Sequence, residues 1–276
     1  MQKSWWKILT VILLIYAITA GLLIKIPNLP ALGQTSRNLF FHVGMWAAMM
    51  TLFTVSFVNA IRYLRTFNLR YDIYARQYAT TGIMFGLLGY ATGTIWMSYT
   101  WADPNNALFQ SFSAVAREPK LIGTAIALLI YCAYLVLRDS ITDMDKRARI
   151  TAVYNIFAYA MIFPAIWIIP RVLPSLHPGQ EGNPAINFKD VSPSMRMVEF
   201  PAFIGWALLG VWIATLKIRS TISFAQDVNK DQTVGKFMYS NQRSYVVIAV
   251  LLTILGGLIL YMIRIDRRLS KLEKEK

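Results

Sequence analysis

Two histidines, His42 and His177, are the only imidazoles in this 276-residue chain, and each stands at the edge of a long apolar run, within NLFFHVGMW and PSLHPGQEG. Imidazole is a common axial ligand of haem iron, so two of them meeting on one side of a membrane can hold one haem. A histidine at a helix end also serves as a capping or interfacial residue, and either one alone fits that role. Between them lies GTIWMSYTWADPNNALFQSFSAVAREPKL, from Gly93 to Leu121. There Trp96, Tyr99, Trp101, Phe109 and Phe112 alternate with Asn105, Asn106, Gln110, Ser111 and Ser113. Flat apolar faces with polar edges suit a large planar ligand; an interfacial aromatic belt accounts for the same rings. Arg37, Arg117, Lys120, Arg171 and Arg196 flank these segments. They can pair with haem propionates, arginine doing so bidentately, or simply stand in solvent. Glu118, Asp103 and Glu181 can orient a histidine through its second ring nitrogen.

The elements that must position these residues are membrane helices. Hydrophobic residues make up 56% of the chain and charged ones 15%, and the apolar residues fall in blocks, which is the pattern of an integral membrane protein. Seven charge-free runs approach or reach the ~20 residues that cross a bilayer. They are Ile8 to Ile24, Leu39 to Ile61, Gln77 to Ala102, Leu121 to Leu137, Thr151 to Pro170, Phe200 to Leu216 and Ser244 to Ile263. The expected fold is an all-α polytopic membrane helix bundle, with six core transmembrane helices and a seventh at the C-terminus. Lys3 and Lys7 precede the first run as they would in a signal peptide, but its length and the lack of a small-residue cleavage site favour a span.

With the N-terminus inside, fifteen Lys and Arg fall in inner segments up to Arg243 and seven in the outer loops, the bias expected of that orientation. Two crossings separate His42 from the aromatic stretch and two more separate it from His177, so all three share the outer face. The net charge of +14 therefore reflects topology rather than nucleic-acid binding. A single Cys132 excludes a disulfide framework or thiolate metal site within the chain. No GxxxxGK[ST] loop is present, so any ATP-driven step needs a partner. No run carries a mid-span ionisable residue to mark the ion path of a secondary transporter.

The LFFHVGMW segment, the TGTIWMSYTW stretch, the SLHPG loop and the SPSMR that follows it resemble the CcmC family, which handles haem in cytochrome c maturation. The resemblance covers roughly residues 1–220. It implies an inner-membrane protein that binds haem b at its periplasmic face and passes it to a CcmE-type haem chaperone, a positioning task rather than an enzymatic one. It further implies His42 and His177 as axial ligands, Trp96 and Trp101 as haem-binding tryptophans, and CcmA/CcmB-type transporter subunits as partners. Where the family carries Trp-Asp-Ala-Arg-Leu, this chain reads Arg117, Glu118, Pro119, Lys120, Leu121, with Glu118 and Lys120 in the acidic and basic places.

Residues 242–276 are similar to CcmD, a small single-span protein with a basic tail, here joined through a polar linker, 221–241. The resemblance implies a cytoplasmic tail, whereas counting seven crossings puts 264–276 outside. Two other readings fit parts of the pattern. A CcsA-type subunit of a cytochrome c synthetase shares the tryptophan-rich loop and outer histidines. A b-type electron-transfer subunit would bind haem too, but such proteins usually place their ligands inside helices.

Overall fold

The computed structural model describes residues 5–27, 32–100, 117–173 and 191–230, with 223–230 as backbone only. Every described element is helical. Helix α1 is Trp5–Leu23; a 3-10 turn, Gly33–Asn38, leads into α2, Leu39–Thr66; α3 is Leu69–Thr100, α4 Pro119–Asp139, α5 Met144–Ile162 and α6 Pro193–Lys230. Among the described residues, five stretches are long and apolar enough to cross a membrane: α1, α2 with its leading turn, α4, α5 with its continuation to Val172, and α6 as far as Ile222. The chain is thus a multi-pass helical membrane protein. It divides into two units, Met1–Thr221 and Ile222–Lys276, and the packing described below is that of the first.

Helix α3, which corresponds to the expected run Gln77 to Ala102, has 32 residues but is not one of the five. Its apolarity is diluted by small residues where it meets its neighbours. Cβ atoms at Gly82, Gly86 and Gly93 would come within 2.6, 2.5 and 2.5 Å of Phe53, Leu128 and His42, and one at Gly89 within 3.4 Å of Trp46. This glycine stripe lets large side chains of α2 and α4 lie close against the α3 backbone, the use that membrane bundles make of small residues. Met49, Leu52 and Phe53 of α2 join Phe85 of α3 and Tyr131 of α4 in the core, where the Phe53 and Tyr131 rings stack at 3.7 Å.

Buried polar pairs tie the helices together. Arg138 of α4 grips Asp72 of α3 with both terminal nitrogens, one donating to Oδ1 at 2.6 Å and also to Thr151 Oγ1 of α5 at 3.0 Å. In sequence, Asp72 and Arg138 flank the charge-free runs; the helices extend past those runs and bury both residues. Asn155 donates to Ser56 Oγ, which donates to the Ala75 carbonyl, both at 2.7 Å. Asp143 caps α5 by accepting from the Lys146 N–H.

Two further features depart from the sequence reading. Proline cannot supply the N–H that α-helical bonding requires at Pro164, and α5 passes there through a π-helical turn, Phe163–Ile168, before a last turn Ile169–Val172. The Ala165 carbonyl of that turn lies directly against Gly123 of α4, where a side chain would not fit. Helix α6 begins at Pro193, not at Phe200, so Arg196 and Glu199 belong to the helix; it also continues to Lys230, into the expected linker. Glu199 is 1% exposed. The seventh run, Trp101 and the rest of the aromatic stretch to residue 116, Asp103, His177 and Glu181 lie outside the described residues.

Candidate functional site

His42 sits in the first turn of α2, held there because the 3-10 turn before it delivers the chain directly into the helix. Its ring is fixed from three sides. Nδ1 lies 3.2 Å from Thr92 Oγ1 of α3, and the Trp46 indole N–H, one turn further along α2, donates to Nε2 at 3.0 Å. Trp46 and Trp96 each present an edge to the imidazole with ring centres 5.9 Å away. The third side is Gly93, whose missing side chain leaves the space filled by Cε1 of the ring.

These partners fix the tautomer. An indole N–H can only donate, so Nε2 carries the lone pair and Nδ1 the proton. Thr92 accepts that proton because its own hydroxyl donates to the Leu88 carbonyl at 2.9 Å. A histidine that ligates a metal through one nitrogen and donates through the other to an oxygen has this arrangement. His42 therefore fits an iron ligand that binds through Nε2.

Around it, Trp96 is held by its indole N–H donating to Thr35 Oγ1 at 3.1 Å, and Tyr99, one turn on, is 64% exposed. Lys120, in the first turn of α4, lies within electrostatic reach of His42, Arg171 and Glu118. Glu118 occupies the N-cap position of α4 and is buried, while Arg117 is exposed. Arg37 is engaged elsewhere: it donates to the Gly21 carbonyl at 2.8 Å and to Gln34. Arg196 lies in the first turn of α6 and acts electrostatically on Glu199, whose Oε1 has no hydrogen-bond partner among the described residues. The structure thus brings His42, Trp96 and Lys120 to one end of the bundle.

The comparison with protein families bears on the other end of the chain. Residues 213–273 match the family model described as CcmD family protein. The CcmD-like segment expected at 242–276 is therefore present, and the match extends it upstream into α6. No curated protein matches the chain. The match includes none of His42, Trp96 and Lys120.

Trp46, Thr92 and Gly93 are the partners that sequence reading missed. Trp46 carried a usable signal, since it follows His42 by four residues and so shares its face of a helix. Thr92 and Gly93 carried none, because nothing in the chain reveals which α3 turn lies beside His42. Gly93→Leu is expected to push the imidazole off its seat and to destabilise the bundle by about 1–3 kcal/mol, as overpacking of this kind does. The melting temperature of the purified variant in detergent, with helix content as a folding control, measures this.

Proposed function

We propose that this membrane protein holds haem b at the periplasmic face of the inner membrane and delivers it to a CcmE-type haem chaperone during cytochrome c maturation. The observation that carries the reading is the His42 ring, with its Nδ1 proton anchored on Thr92 and its Nε2 kept as the acceptor nitrogen, here bonded by the Trp46 indole N–H. The CcmD match supports the same system, as CcmD accompanies the haem-handling machinery of cytochrome c maturation.

In this reading His42 and His177 would hold the haem iron through ring nitrogens, and Trp96, Trp101 and Tyr99 would offer flat apolar surface to the porphyrin. Lys120, Arg117 and Arg196 supply cations for the propionates, with Glu118 setting the field at Lys120. The chain's task is to bind and orient the haem so that the chaperone can take it up; CcmA/CcmB-type subunits supply ATP hydrolysis, and the CcmD-like segment serves here in cis. Haem-loaded protein mixed with apo-chaperone in detergent should lose its haem stoichiometrically to the chaperone, read as covalent haem on the smaller protein after denaturing electrophoresis. Haem that stays on the membrane protein under all nucleotide and partner conditions would count against delivery.

A further inference from the structure

We propose that Trp46 is a latch on the His42 lone pair, so that haem capture waits for the indole to withdraw. The inference rests on the reading of His42 as an iron ligand. The nitrogen that ligation requires, Nε2, is the one the Trp46 N–H occupies at 3.0 Å. The other ring nitrogen is held by Thr92, so rotating the imidazole to offer Nδ1 instead would break that bond and drive the ring out of the space left by Gly93.

Trp46 also has a seat of its own. Its indole lies 3.4 Å from where a Cβ of Gly89 would stand, and it packs on the hydrophobic core. Trp96 cannot replace it, because its N–H is committed to Thr35. The physical reason for a latch is that a lone pair left unsatisfied in an apolar setting is unfavourable. The resting site keeps it capped, and an incoming haem must compete with the indole for the same orbital.

Trp46→Phe keeps an aromatic ring against Gly89 and removes the donor. With one hydrogen bond of ordinary strength lost, the variant is expected to capture haemin about fivefold faster than wild type in stopped-flow absorption. Diethyl pyrocarbonate, which acylates the unprotonated imidazole nitrogen, gives a readout that needs no haem: the His42 peptide should be modified faster by a similar factor in the variant. Trp46→Met, also without a donor, serves if phenylalanine disturbs packing. Equal modification rates in wild type and both variants would overturn the latch. So would equal haemin capture. Faster modification in the variants, with no haemin uptake by any protein, would show the lone pair capped but the haem reading wrong, and the latch as a control on haem would fall with it.

Discussion

Purified His42→Ala and His177→Ala proteins are each expected to retain less than about a hundredth of the wild-type haem. Loss of groups that merely orient a metal ligand costs about 10- to 100-fold in affinity, and loss of the ligand itself costs at least as much. Expression should persist in His42→Ala. The ring is only partly buried; its loss leaves Thr92 bonded to the Leu88 carbonyl but strands the Trp46 N–H, so the penalty is about 1–3 kcal/mol. Pyridine haemochrome assay of haem per polypeptide measures the effect. Full occupancy in both variants would remove these residues from the iron.

A second large effect is expected far from that site. Asp72→Ala leaves the Arg138 guanidinium, 4% exposed, without its counter-charge and with only the neutral hydroxyls of Thr151 and Tyr134 beside it among the described residues. Removing one member of a buried pair costs about 3–5 kcal/mol, whereas replacing both by apolar residues of similar volume is often neutral. The double variant Asp72→Leu with Arg138→Met should therefore recover most of the thermal stability that Asp72→Ala loses, measured by unfolding in detergent. Equal melting temperatures for the single variant and wild type would show that the pair does not clamp α3, α4 and α5. Haem per folded molecule should not change in either protein.

The contrast between those two regions shows what the chain reveals before folding. Apolar runs marked the helices well, because every backbone polar group inside a bilayer must be bonded within its own segment. Their ends were harder to place. Charge-free counting cut α6 at Phe200, although Arg196 and Glu199 lie inside the helix, and it counted Arg138 among the inner-segment charges although that residue meets Asp72 across 66 positions. Such pairs are invisible to any local pattern. The π-helical turn at Pro164 likewise sets the Ala165 carbonyl against Gly123 of another helix.

At the candidate site, His42 was legible from its place at the start of a span. The state of its ring was not. Which nitrogen bears the proton is decided by Thr92 on another helix, by Trp46 and by the space at Gly93, and only packing brings these together. The glycines of α3 are what allow Trp46 and His42 to approach its backbone.

The central claim is that two imidazoles of this chain share one iron, and the spin state of that iron tests it most directly. Electron paramagnetic resonance of the ferric, haem-loaded wild-type protein should give the low-spin signal of bis-histidine ligation, and His42→Ala loaded with excess haemin should lose it. An axial high-spin signal from the wild type, or a low-spin signal unchanged in His42→Ala, would contradict the account.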